Sequence, residues 1–316
     1  MQYWDFEKPI IELEAKIKEI KEFSESKDID LSLEIKNLET KLNALKKEIY
    51  SNLTAWQKVQ IARHIQRPTT LDYINLIMKD FIELHGDRLF GDDKAIVTGF
   101  AKLEGKKVAI VGHQRGKDTK ENLERNFGCP HPEGYRKAMR IMRLAARFSL
   151  PIISFLDTRG AYPGIGAEER GQALAIAENI RDMFGLRTPI IVIVIGEGGS
   201  GGALGIGVGD VILIMQYAYY SVISPEGCAA ILWRDAKMAP QSAEALKLTS
   251  DELFKLGVVD EIIPEPYGGA HRNYEETANN LKKALLKKLE EISSFTPQEL
   301  LARRYNKFRK MGVFKG

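Results

Sequence analysis

Residues 189–210 read Pro-Ile-Ile-Val-Ile-Val-Ile-Gly-Glu-Gly-Gly-Ser-Gly-Gly-Ala-Leu-Gly-Ile-Gly-Val-Gly-Asp. The run 190–195 is apolar without alternation, which fits a strand covered on both faces. Gly196, Gly198, Gly199, Gly201 and Gly202 follow it at once, and a small-residue helix is expected over 200–208. Glycine lets a ligand approach bare backbone N–H groups. At a helix start those groups have no internal partner and sit at the positive end of the dipole. A strand, a glycine turn and a helix in this order are suited to a negative charge, either a bound phosphate or an oxyanion that forms only during reaction.

The same alternation extends in both directions. Strands are expected at 95–103, 107–113, 152–157, 211–216, 221–223 and 258–263, with helices at 133–148, 167–185 and 241–256. This spacing predicts an α/β fold with a largely parallel sheet. Upstream, Ile10, Leu13, Ile17 and Ile20 recur at helical spacing, and Leu31, Ile35, Leu38, Leu42, Leu45 and Ile49 form a heptad-like seam. Together they predict an N-terminal helical hairpin. Further helices are expected at 54–64 and 70–84. From residue 274 a basic amphipathic helix runs to about 293. The tail beyond 297, with Arg303, Arg304, Lys307 and Arg309, reads as a solvated or frayed helix, or as a docking surface for an acidic partner. The resulting division is a helical region at 1–69, a central domain at 70–272, and a C-terminal helix with a basic tail at 273–316.

The 316 residues are 44% hydrophobic with a net charge of +3, which argues against a dedicated nucleic-acid binder. No apolar run reaches the ~20 residues of a membrane span, and the N-terminus resembles neither a secretory signal nor a transit peptide. Cys129 and Cys228 cannot make a four-cysteine zinc site and suggest reduced thiols in a cytoplasm.

The glycine stretch admits several chemistries. Gly196 to Gly201 fits a dinucleotide fingerprint, but no acidic residue closes the next strand to hold a ribose. A phosphate loop with Gly-Lys-Ser or Gly-Lys-Thr is absent from the sequence. Gly198-Gly199-Ser200-Gly201-Gly202 fits a nucleophile elbow, with Asp260 and His271 in a compatible order for a serine hydrolase. A third reading is an oxyanion hole made by the peptide N–H groups of Gly201 and Gly202. Close helix–strand packing with no ligand is a fourth. A second turn, Gly160-Ala161-Tyr162-Pro163-Gly164, also leaves a buried strand and enters a helix. With Gly198, Gly199 and Ser200 it can wall one cleft. Asp157 closes that strand, where an aspartate commonly serves a turn or cap.

Several long blocks carry a resemblance. They are Glu83-Leu84-His85-Gly86-Asp87-Arg88, Asn126-Phe127-Gly128-Cys129-Pro130-His131-Pro132-Glu133-Gly134-Tyr135-Arg136-Lys137-Ala138, both glycine turns, Tyr220-Ser221-Val222-Ile223-Ser224-Pro225-Glu226-Gly227-Cys228-Ala229, and Gly268-Gly269-Ala270-His271-Arg272. The chain resembles the carboxyltransferase α subunits of bacterial-type acetyl-coenzyme A carboxylase. The resemblance implies a crotonase-like fold of ββα units stacked in a spiral. It implies an α2β2 assembly whose β subunit carries a zinc ribbon, with no metal in this chain. Carboxybiotin on a biotin carboxyl carrier protein would be the donor, acetyl-coenzyme A the acceptor, and biotin carboxylase a member of the larger complex. It also implies that Gly201 and Gly202 form the biotin-side oxyanion hole. Arg159 departs from the proline usual in that turn, and Ile65 from the proline preceding the basic–proline pair.

Overall fold

The computed structural model describes residues 4–27 and 29–312. Helices α1 (Lys8–Lys27) and α2 (Ser32–Ser51) lie antiparallel. Lys21 meets Glu39 at 2.7 Å and Lys46 meets Glu14 at 2.6 Å, and Ile10, Ile17 and Leu42 are buried between the helices. Glu7 accepts from the Tyr50 hydroxyl of α2 at 2.7 Å and docks the hairpin on the body through Arg272, 3.2 Å away. Helix α3 (Ala55–Ala62) follows, opened by a Thr54 capping box with Gln57.

The expected helix at 70–84 stops early. Helix α4 (Thr70–Ile77) gives way to strand β1 (Lys79–Glu83), which pairs antiparallel with β2 (Ile96–Leu103). Ile74, Ile77, Met78 and Phe81 do repeat at helical spacing, but a free edge of β2 offers the segment a ladder. The backbone becomes extended at Met78, and Asp80, at φ 53°, lies in a register irregularity within β1 between Lys79 and Ile82. Tertiary pairing here overrides local propensity.

Strands β2 and β3 (Lys106–His113) form an antiparallel hairpin. Helices α5 (Thr119–Glu124) and α6 (Pro132–Arg147) lead to β4 (Ile152–Thr158). Helices α7 (Ile165–Glu169) and α8 (Gln172–Gly185) then lead to β5 (Ile190–Gly199). The single helix expected over 167–185 is two, because Gly171 takes φ 82° between them. After β5 come α9 (Ser200–Leu204), β6 (Val211–Met215) and β7 (Tyr219–Ser221). Helices α10 (Pro225–Trp233), α11 (Ala239–Ala245) and α12 (Ser250–Lys255) precede β8 (Glu261–Ile263). The helix expected over 241–256 is thus divided, with Lys247 at φ 53° in the break.

The sheet runs β1-β2-β3-β4-β5-β6-β8, parallel from β3 onward. Strand β5 serves two neighbours: its first half pairs with β6 and its glycine end with β7. Every residue of β4, β5 and β6 is buried. That is the environment an unbroken apolar run requires.

Helix α13 (Tyr274–Ser293) matches its expected limits, and α14 (Pro297–Arg309) follows a Thr296 capping box. The tail is not a solvated helix. Arg304 is fully buried: it pairs with Asp210 at 2.7 Å and donates to the carbonyls of Met183, Leu186 and Thr188. Leu300 is buried beside it. The basic residues are divided between anchoring and exposure, because one face of α14 closes the core.

Candidate active site

Two strand ends place the site. At the end of β5 the chain turns at Ser200, which takes φ 49°, and enters α9. Strand β4 lies alongside, with Thr158 paired to Gly198. The glycines are required by contact. A Cβ at Gly199 would lie 2.2 Å from the Arg159 carbonyl oxygen, and one at Gly202 would lie 2.4 Å from the Gly160 carbonyl carbon and 2.5 Å from the Ala161 nitrogen. The two turns therefore pack backbone against backbone, bringing Thr158 and Arg159 onto Gly199, and Gly160 and Ala161 onto Gly202. A Cβ at Gly198 would lie 2.8 Å from the Tyr220 ring. Gly201 differs: its nearest neighbour would be Ile176 at 3.9 Å.

The remainder of the second turn faces elsewhere. Tyr162 stacks on His131 at 4.1 Å and its N–H donates to the Pro130 carbonyl, while Gly164 makes room for the Tyr162 ring. Pro163 is exposed. Of the five residues expected from this turn, Gly160 and Ala161 meet the glycine stretch directly.

The helix expected over 200–208 spans five residues, Ser200–Leu204. Gly205, Gly207 and Gly209 cannot sustain it against their entropic cost. So short a helix carries little macrodipole, and what it offers is the local N–H groups of its first turn.

Ser200 and Val222 line two cavities. One, of about 470 Å³, is apolar and includes Gly201, Leu204, Tyr220, Val222 and Phe308. The other, of about 500 Å³, includes Arg63, Arg159, Ser224 and Glu226. The first cavity is lined mainly by apolar residues, whereas the second carries Arg63, Arg159 and Glu226.

Beneath the charged chamber lies a buried ionic cluster. Glu197 is 2% exposed. It accepts from Arg63 Nε at 2.8 Å, from Arg159 Nε at 3.3 Å, and from the Tyr219 hydroxyl. Burial pushes its carboxyl up, but Arg63, Tyr219, Arg115 and Arg159 outweigh that and hold it below its ordinary value. Its N–H donates to Asp157 Oδ1 at 3.0 Å. Asp157 lies 3.0 Å from Arg115 Nε, yet burial dominates and raises its carboxyl. Gly196 has no side chain because Asp157 stands 2.4 Å from where its Cβ would be. This cluster was not legible in the sequence: Glu197 stood among glycines, and its partner Arg63 is 134 residues away.

The hydrolase triad is not assembled. Asp260 accepts from the Ile212 N–H and pairs with Lys307. His271 stacks on His64 at 3.7 Å between ring centroids, and burial lowers its pKa to about 3. Neither residue lines a cavity that Ser200 shares.

Known proteins give a consistent relationship. A family model described as acetyl co-enzyme A carboxylase carboxyltransferase-like matches residues 3–312. The acetyl-coenzyme A carboxylase carboxyl transferase subunit alpha of Halalkalibacterium halodurans is 59% identical over 310 residues, covering 98% of this chain and 95% of that protein. The counterpart from Thermus thermophilus is also 59% identical, covering 98% of each. Among solved structures, transcarboxylase 12S superposes with a TM-score of 0.56 at 21% identity, over 71% of this chain and 44% of its own, so the chain spans under half of that protein. A Pseudomonas malonate decarboxylase hetero-tetramer chain gives 0.56 at 17% identity, over 68% and 86%. These two show a shared crotonase-like fold. By sequence and by fold together, the chain belongs to the family of acetyl-coenzyme A carboxylase carboxyltransferase α subunits.

Proposed function

We propose that this chain is the α subunit of an acetyl-coenzyme A carboxylase carboxyltransferase, which moves a carboxyl group from carboxybiotin to acetyl-coenzyme A to form malonyl-coenzyme A. The observation that carries the site assignment is the turn at Ser200–Gly202. Its first-turn N–H groups lie at residues that line an apolar and a charged cavity, and neither Asp260 nor His271 lines either one. The apolar chamber suits the biotin bicycle. The N–H groups of Gly201 and Gly202 would donate to its ureido oxygen.

Negative charge grows on that oxygen as carbon dioxide leaves, so the two donors stabilise the transition state more than the ground state. One such donor contributes about 3 kcal/mol. The freed ureido nitrogen takes the proton from the acetyl methyl, and the enolate attacks the carbon dioxide. Close packing of the two turns fixes the donors in place before reaction, so little reorganisation is needed.

In this reading residues 70–272 carry the transferase chemistry, with 1–69 and 273–316 attached to it. The acceptor-side hole and most coenzyme A contacts come from a zinc-ribbon β subunit in an α2β2 assembly. A biotin carboxyl carrier protein, loaded by biotin carboxylase, delivers the donor in the cytoplasm. Exposed Leu204 and Val222 beside the turn, with Ile231, Leu232 and Trp233 on α10, support a partner surface there. No helix among the described residues is long and apolar enough to cross a membrane.

The test is reconstitution. The purified chain alone should form no malonyl-coenzyme A, and addition of β subunit with a carboxybiotin donor should restore synthesis. Ser200→Ala should keep most activity in that complex. Full activity of the lone chain would overturn the two-subunit reading, and loss of activity on Ser200→Ala with covalent labelling of Ser200 by a fluorophosphonate would favour the hydrolase.

A further inference from the structure

On α6, Arg136, Arg140, Arg143 and Arg147 recur at steps of four, three and four, so they share one helix face. With Arg88 they line a cavity of about 520 Å³, against two carboxylates, Asp87 and Glu178. The arginines are not equivalent. Arg136 is neutralised by Asp87 at 2.8 Å and Glu133 at 3.2 Å, and Arg143 pairs with Asp182. Arg140 donates instead to the carbonyls of Gly86 and His85, both at 3.0 Å, so its charge has no carboxylate on it. Arg88 and Arg147 have no ion pair among the described residues. Arg88 is held at φ 65° beside Arg140. Burial, and next the charge of Arg88, lowers the Arg140 pKa, the sign of two cations facing each other. The remaining wall is apolar: Leu89, Met139 and Leu144.

We infer that this groove binds a phosphorylated nucleotide, its phosphates on Arg88, Arg140 and Arg147 and its base against Leu89, Met139 and Leu144. Guanidinium forks match phosphate oxygens in pairs, and convergence of unneutralised arginines in a concave site favours a compact polyanion over a broad protein face. The volume lies in the range of small-ligand pockets. Asn179, in the groove lining, donates to the Gly205 carbonyl at 2.9 Å, which joins the groove to the segment following α9. The groove is read from its own arginines, and only its coenzyme A arm rests on the carboxyl-transfer reading. The nucleotide is either the 3′-phosphorylated ADP portion of a coenzyme A thioester or a free nucleotide.

Titration calorimetry on the full chain, with coenzyme A, dephospho-coenzyme A and ADP as probes, tests it. Saturable binding should weaken at least tenfold in Arg88→Glu and in Arg147→Glu, and should weaken with added salt. Among the described residues neither side chain has an ion pair, so the variants should fold, and circular dichroism checks this. Lys102→Glu, at a β2 residue that pairs with Asp80 of β1 and does not line the groove, should bind as the parent does. Weaker binding of dephospho-coenzyme A identifies the thioester source, whereas ADP binding as tightly as coenzyme A identifies a free nucleotide. Absence of saturable binding by all probes, or binding unchanged in both glutamate variants, overturns the proposal. So does loss of β-subunit association in the variants without nucleotide binding by the parent, which would make the groove a protein interface.

Discussion

At the scale of single residues, Gly201 and Gly202 are adjacent and both donate in the proposed site, yet packing separates them. A methyl at 202 would sit within 2.4 Å of the neighbouring turn's backbone, whereas 201 has room. Gly202→Ala should therefore destabilise the fold by about 1–3 kcal/mol as an overpacked contact and distort the site. Gly201→Val should fold and assemble normally but lose at least 100-fold in carboxyl transfer by obstructing the N–H groups. Denaturant midpoints and activity of the reconstituted complex distinguish them; equal stability losses would refute the packing argument. Arg159 stands over Glu197 at 3.3 Å and is largely exposed in the charged chamber. Glu197 already holds Arg63 and Tyr219, so Arg159→Pro should cost under about 1 kcal/mol of stability. A larger measured loss would mean that Arg159 belongs to the buried cluster.

At the scale of elements, α14 shows how an unremarkable basic tail becomes structural. Arg304 satisfies three carbonyls and Asp210 from a fully buried position. Arg304→Met should cost about 3–5 kcal/mol, since it leaves buried acceptors and a carboxylate without their donor. Urea unfolding measures this, and a loss below about 1 kcal/mol would show that α14 is dispensable to the core. Strand β1 carries the complementary lesson. Its apolar spacing was helical, and only the free edge of β2 made it a strand. The limits of α13 were legible, and Asn273 caps it locally, whereas α14, capped by Thr296, was read only as a tail. Helix limits were not legible where a left-handed residue such as Gly171 divided a continuous pattern.

At the scale of the whole molecule, buried ionisable groups set the response to pH. His113 is fully buried and neither ring nitrogen makes an aligned hydrogen bond. Burial lowers its pKa from 6.5 to about 3. A depressed histidine contributes stability that is complete above 6.5 and is lost as pH falls from there toward 3. At pH 5 the loss from one such group is about 2 kcal/mol. Between pH 7.5 and 5 the parent should therefore lose more stability than His113→Phe by roughly that amount. Parallel losses in urea titrations would assign the pH sensitivity to another group.

The order of strands β2 to β6 and the two glycine turns was readable from the chain alone, because burial on both faces and bare backbone at a strand end impose local composition. The family blocks were equally local. Tertiary structure alone decided the buried ion pairs: Arg63 with Glu197 beneath the site across 134 residues, Arg67 with Glu265 across 198, and Arg304 with Asp210 across 94. It also decided which glycines are crowded and which is open. A charged residue far from its partner leaves no periodic trace in sequence. Its role arises when folding removes both groups from water and makes each the condition for burying the other.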